Sequence, residues 1–418
     1  MGVPWTRLAA SGVLAAGLIA LVPTSAQPAD ATLGTNVDGL RAAGRQLSPA
    51  LRAAALEADA AAAKADGADA LDDPTISDSY QSYRDPGVFS AHTVTLTQAF
   101  PLWGKRDLRR EAALADVDAA RGRERTAQDE IDEKIKVAFA EYYVITRSIA
   151  VNKEVGGLAR RMQAAAEARY GQGSGEQAFV IQTIGEDTTA KVEAIRLDGE
   201  KSAARARLNA LVGRPAGAAL AEPAGVRPMP ATEPNLSVLL DRARTANPTL
   251  SASSAAIAAA RTRSTLADKA WYPDLTVSGG PIIQTNDQPV GFSATVGINI
   301  PLPWGREASG QQQAAAELAA SQQSFNASQL EIEGALGEAV ARLHAARATE
   351  SLLRRQSMPQ ARAGFQSVLA NYRQGNGDLS AAIAAQHQVH DVEIRLLQVQ
   401  LDQQVQLAAI ERLIGGDL

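Results

Sequence analysis

The chain has 418 residues, 45% of them hydrophobic, with 46 acidic against 41 basic side chains and a net charge of −5. Such mild acidity argues against nucleic acid as a partner. With no cysteine and four histidines, the sequence excludes disulfides and a lipid-modified N-terminal cysteine, argues against an ordinary transition-metal centre, and suits an oxidising compartment.

Taken in chain order, Arg7, the apolar run Leu8 to Val22 and the small residues Thr24-Ser25-Ala26 have the parts of an export signal, cleaved after Ala26. An uncleaved anchor is the alternative, but a run of about 15 residues falls short of the roughly 20 that span a bilayer. An Ala-rich helix of about 36 Å is expected over residues 49–72. Two strands follow, about 75–84 with Ile76 and Tyr80, and about 89–100 with Val94, Leu96 and Phe100.

Between Pro101 and Pro215 there is no proline, and strong helix formers dominate. Ile131, Ile135, Ala138, Tyr142, Ile145 and Ile149 step by four and three, the seam of a coiled coil. One helix over 105–169 would be about 100 Å long. The glycines at 171, 173 and 175 end it, and a return helix of about 54 Å is expected over 177–212. That leaves half the long helix without an antiparallel partner, a gap filled if the 49–72 helix stacks end to end on the return helix. Five prolines at 215, 223, 228, 230 and 234 make 214–236 a linker rather than a helix.

Beyond the linker the chain repeats itself. Leu47-Ser48-Pro49-Ala50-Leu51 returns as Ala246-Asn247-Pro248-Thr249-Leu250, Pro74 as Pro273, and Pro101-Leu102-Trp103-Gly104-Lys105-Arg106 as Pro301-Leu302-Pro303-Trp304-Gly305-Arg306. Tyr170-x-x-Gly173-x-Gly175-Glu176 returns as Tyr372-x-x-Gly375-x-Gly377-Asp378, and Leu211-Val212-Gly213 as Leu413-Ile414-Gly415, the offset drifting only from 199 to 202. One supersecondary unit is therefore written twice, over 27–213 and 237–418. The second copy should carry helices over 248–271, 306–371 and 379–414 and a hairpin of strands 274–284 and 290–300. Ile332, Leu336, Ala339, Leu343 and Ala346 repeat the coiled-coil step. Phe292 to Ile300 alternates apolar with polar or small residues over the length of a tilted membrane strand, Val296 and Ile298 on the apolar side. Trp103, Trp271, Tyr272 and Trp304 bracket the hairpins, in the manner of an interfacial aromatic girdle. Soluble hairpins capped by core tryptophans, on a soluble coiled-coil rod, are the competing explanation. Four strands cannot close a membrane barrel, which needs about eight, so a membrane role requires several chains to share one.

The duplication, Asn247-Pro248-Thr249-Leu250, the two Pro-Leu-Trp-Gly segments and the two Tyr-x-x-Gly turns resemble the TolC-like family of outer-membrane efflux channels over nearly all of the exported chain. The resemblance implies a mainly α protein with a small β part. Three chains would give four strands each to a 12-stranded barrel, continued by a periplasmic tunnel of long helices. It implies outer-membrane location, contact with outer-membrane lipid, and partnership with a periplasmic adaptor and an inner-membrane RND-type pump. Gln98 to Arg106 and Ile300 to Arg306 look more like the heavy-metal (CzcC-like or CusC-like) branch than the drug-efflux branch. Drug efflux, type I protein secretion and a periplasmic structural coiled coil remain alternatives. In the family the two helix turns form the periplasmic mouth that meets the adaptor, which puts Tyr170, Gly173, Gly175, Glu176, Tyr372, Gly375, Gly377 and Asp378 there. The familiar gate charges are not matched: Phe179 and Gly377 stand at the acidic and basic positions, Ala381 and Ala384 at the paired acids. Glu176 and Asp378, tripled by symmetry, could form cation-favouring rings or simply cap helices.

We find no catalytic constellation and expect no enzyme and no cofactor. His387 and His390, three apart on a helix without a nearby acidic triad, read as surface or seam residues rather than metal ligands.

Overall fold

The structure is a computed structural model and describes residues 33–82, 90–173, 175–284, 289–374 and 378–418. The expected export signal and the hairpin tips at 83–89 and 285–288 lie outside the described residues.

Each repeat contains two short helices, two strands, a long outgoing helix, which in the second repeat is divided into α7 and α8, and a return helix. In the first these are α1 (Val37–Leu47), α2 (Pro49–Asp66), β1 (Thr75–Gln81), β2 (Ala91–Phe100), α3 (Lys105–Gly171) and α4 (Gln177–Leu211). The second has α5 (Leu236–Ala246), α6 (Pro248–Asp268), β3 (Leu275–Gln284), β4 (Gly291–Ile298), α7 (Arg306–Leu352), α8 (Met358–Arg373) and α9 (Leu379–Leu413).

Helix α3 is a single helix of 67 residues, about 100 Å at 1.5 Å per residue. Its seam forms a core: Ile135, Ala138 and Tyr142 are buried with Val37, Leu40, Leu208 and Val212, and Ile131 and Ile145 pack against them. The image core joins Ile332, Leu336, Ala339 and Leu343 to Leu239, Ile410 and Ile414. End-to-end stacking of the short helices is visible at Gly213, where an added Cβ would lie 2.5 Å from the Leu47 carbonyl oxygen, and at Gly415, 2.4 Å from that of Ala246. Both glycines have positive φ, +73° and +68°, as a helix C-terminus that turns sharply requires.

Three expectations need correction. Helices α1 and α5, 11 residues each, are additional elements, started by Asn36 and Asn235, whose side chains accept from Gly39 N–H and Ser237 N–H. The 49–72 helix stops at Asp66. The expected helix 306–371 is interrupted by a π-helical turn, Leu353–Ser357. The offset between repeats rises from 201 at Ile145/Ala346 to 202 at Tyr170/Tyr372, and a π turn is how a helix absorbs one extra residue. Pro359, which lacks an N–H, stands two residues after it.

The four strands form one antiparallel sheet in the order β1-β2-β3-β4, so the β2–β3 pairing joins the two repeats. Among the described residues no helix is long and apolar enough to cross a membrane.

Candidate functional site

The sheet has two chemically distinct faces. Because side chains alternate along a strand, the cross-strand pairs Ile76↔Leu96, Leu96↔Gly279, Gly279↔Ala294 and Val277↔Val296 fix which residues share a side. One side carries Ile76, Tyr80, Val94, Leu96, Val277, Ile283, Phe292, Val296 and Ile298, nearly all of them exposed, Phe292 and Val296 by 75% and 71%. The other carries Thr75, Ser77, Ser79, Thr93, Thr95, Thr97, Thr276, Ser278, Ser293 and Thr295, with Ile282 as its one large apolar residue. Val94, Leu96, Val296 and Ile298 thus share the apolar side. The apolar side also bears Asp78 and His92, 3.3 Å apart, with the His92 ring 4.7 Å from that of Tyr80.

A soluble sheet would bury its apolar face. Here that face is exposed, and among the described residues the outer edges β1 and β4 pair with no further strand. Edge strands of this kind pair with further strands.

At the far end of the helices the two repeats meet again. Met162 and Ala166 of α3 bury Tyr372, Leu379, Ala382 and Ile383, and Phe179, Val180 and Val368 pack on them. The Arg169 guanidinium lies 4.8 Å from the centre of the Tyr372 ring, a cation–π contact, and its Nη2 donates to the Tyr372 carbonyl. Equivalent residues therefore differ: Tyr372 is 9% exposed, Tyr170 50%. Gly173 adopts φ +71°, and a Cβ on Gly175 would sit 3.0 Å from Tyr170 N, so both glycines serve the reversal between α3 and α4. Asp378 caps α9, its Oδ1 accepting from Ser380 N–H at 3.0 Å, whereas Glu176 makes no such cap on α4. Gly375 and Gly377 lie outside the described residues. Phe179 packs in this apolar cluster. Further along, His387 Nε2 meets Glu186 Oε2 at 2.8 Å between α9 and α4.

A third feature is ionic and could not be read from the sequence, because its paired members lie from 87 to 281 positions apart. Lys136 Nζ, 4% exposed, donates to Glu411 Oε2 at 2.7 Å and Asp417 Oδ1 at 2.5 Å. Arg227 of the linker also reaches Glu411 at 2.7 Å, and Arg41 and Arg45 converge on Asp132 Oδ2. Burial pushes the Asp417 carboxyl up, but the hydrogen bonds and charges of Lys136 and then Arg41 outweigh it and hold it at about 2. This network fastens α1, α3, the linker and the end of α9 to one another. The linker is further held by Ala221 N–H and Ala224 N–H donating to the Leu33 and Thr35 carbonyls, and by Arg347 donating to the Pro230 carbonyl.

The described residues thus form a duplicated helical hairpin with a two-faced sheet at one end and the α3–α4 and α8–α9 ends at the other. The sequence model of the outer membrane efflux protein family matches residues 42–214 and 239–416; the chain belongs to this family of TolC-like channels. Its fold is similar to that of the outer membrane protein VceC from Vibrio cholerae, with TM-score 0.77 and 20% identity over 91% of this chain and 96% of that one. It is also similar to CusC, at 0.78 and 16% over 92% and 94%. The open state of the Neisseria gonorrhoeae MtrE channel compares at 0.69 and 18%, over 91% and 89%. No curated protein sequence matches the chain.

Proposed function

We propose that three copies of the chain close a 12-stranded barrel in the outer membrane and continue it as a periplasmic helical tunnel. The duct is a passive exit for substrates that an inner-membrane pump delivers through a periplasmic adaptor. One observation carries this reading: an exposed apolar face backed by a Ser/Thr face, on a four-stranded sheet with both edges free. The first face suits lipid and the second a water-filled lumen. Pairing β4 of one chain with β1 of the next would repeat the β2–β3 junction and remove every edge.

The mouth residues Tyr170, Gly173, Gly175, Glu176, Tyr372, Gly375, Gly377 and Asp378 are proposed to receive the adaptor tip. Small residues at the turns let another backbone approach closely. Metal cations are the favoured cargo, on the Pro-Leu-Trp-Gly segments and the acidic residues Glu176 and Asp378; the chain itself acts as a conduit and not as an enzyme. The linker is proposed to run around the outside of the tunnel.

The test is complementation in a strain lacking the chain but retaining its pump and adaptor. Restored tolerance to copper, zinc or cobalt salts supports the metal duct. Restored drug tolerance alone transfers the cargo to the drug class. Changing Gly173 and Gly375 together to valine should abolish efflux while the trimer stays in the membrane; full tolerance in that variant removes the docking role.

A further inference from the structure

The joint between sheet and helices is built once inside the chain and left half-built at its image. Inside, the segment 102–105 sits on 272–274. Leu102 N–H donates to Asp274 Oδ1 at 3.0 Å, Trp103 Nε1 to the Pro273 carbonyl at 2.7 Å, and Lys105 Nζ to the Tyr272 carbonyl and Asp274 Oδ2, both at 2.8 Å. The Trp103 and Tyr272 rings are 5.5 Å apart. Seating buries Lys105 to 6% and holds Trp103 at φ +63°, a conformation bulky residues rarely adopt.

The duplication maps this plug onto 302–306 and its socket onto 73–75. Both images are open. Trp304 is 86% exposed, and Arg306, Asp73, Pro74 and Thr75 are exposed as well. They cannot meet within one chain, because 302–306 follows β4 and 73–75 precedes β1, at opposite edges of the sheet.

We propose that Leu302 to Arg306 of one chain seats on Asp73 to Thr75 of a second copy, with Trp304 Nε1 donating to the Pro74 carbonyl and Arg306 paired with Asp73. This rests on the shared-barrel reading above and adds the residues that join its chains. The charges support the match. In the internal socket the acid follows the proline, as Asp274; in the image that position is Thr75, and the acid precedes the proline, as Asp73. The cation changes in step, from Lys105 to Arg306, whose longer, forked head reaches acceptors that an ammonium does not. Pro303, inserted ahead of Trp304, raises the repeat offset from 200 to 201 at this point.

Charge reversal in the full-length membrane protein tests the pairing. Arg306→Asp and Asp73→Arg should each lose most of the SDS-resistant trimer at a temperature where the unmodified protein keeps it, and the double variant should recover at least half. Singles that match the unmodified protein, or a double as weak as the singles, overturn the pairing. Independently, Pro74→Cys with Trp304→Cys, in a chain with no other cysteine, should give chain-to-chain disulfides on a non-reducing gel. An intact trimer without them overturns the seating. Unmodified protein that is monomeric by native mass would instead remove the shared-barrel reading itself.

Discussion

Lys136 shows how much of the inter-repeat contact rests on single side chains. It is buried between two carboxylates that belong to the other end of the chain, so replacing it by methionine strands Glu411 and Asp417 without their shared cation. Breaking a buried pair from one side costs about 3 to 5 kcal/mol; Arg227 still faces Glu411 and Arg41 still faces Asp417, so a smaller loss, about 2 kcal/mol, is expected in chemical unfolding of the solubilised protein. A loss below about 1 kcal/mol would mean that the network is solvated like a surface bridge. Asp417 adds a pH dependence of definite sign. Its folded value of about 2 lies below the ordinary 3.8, so its stabilisation is complete above about pH 4 and is lost as pH falls toward 2. Since this side chain is about half exposed, the effect should be modest. Asp417→Asn should lower the melting temperature at pH 7 and flatten its decline between pH 4 and pH 2; an unchanged profile would remove Asp417 from the network's energetics. None of this was visible in the sequence, where Lys136 and Glu411 stand 275 positions apart and nothing local marks either as buried.

Elements were more legible than residues, for reasons that differ from one to the next. The seam of α3 could be read because a four-three step persists over several turns, long enough to outweigh noise. The register behind the strand assignment followed from alternation in β4, and Val94, Leu96, Val296 and Ile298 do share one face. Helices α1 and α5, 11 residues each, lie ahead of the Pro49 and Pro248 landmarks on which the repeat is aligned, and too short a stretch separates them from those prolines to read as separate helices. Their signal was the duplication itself: Asn36 and Asn235, 199 apart, start equivalent helices. The π turn was likewise marked by the step in offset from 201 to 202 and by Pro359, though its position within the helix was not. The two-faced sheet makes a paired prediction. Arg at Val296, on the apolar face, should cost about 2 to 4 kcal/mol per chain at mid-depth in the bilayer, measured as loss of folding yield into lipid vesicles. Arg at the neighbouring Thr295, on the Ser/Thr face, should insert nearly as well as the unmodified chain. Equal behaviour of the two variants would contradict a lipid-facing and a lumen-facing side.

At the scale of the whole molecule, the duplication leaves each repeat asking for the same neighbours, and only half of them are present in one chain. On α9, Ile383, Gln386 and Leu397 are buried, with Ile383 in the cluster that includes Met162 of α3. Their images on α4, Ile181, Ile184 and Ile195, are exposed by 62%, 45% and 76%, and Val192 between them by 63%. An apolar stripe of that kind marks an interaction surface; under the proposed shared barrel its cover would be the α7–α8 arm of another copy, which would stand to α4 as α3 stands to α9. Lysine at both Ile184 and Ile195 should therefore abolish the oligomer while far-ultraviolet circular dichroism retains its helical signal. A trimer of undiminished heat resistance would mean that the stripe faces elsewhere. The most direct measurement on the central claim is the native mass of the protein extracted from the outer membrane in mild detergent. A shared barrel predicts a single assembly of three chains; a species of one or two chains, with membrane insertion intact, would contradict it.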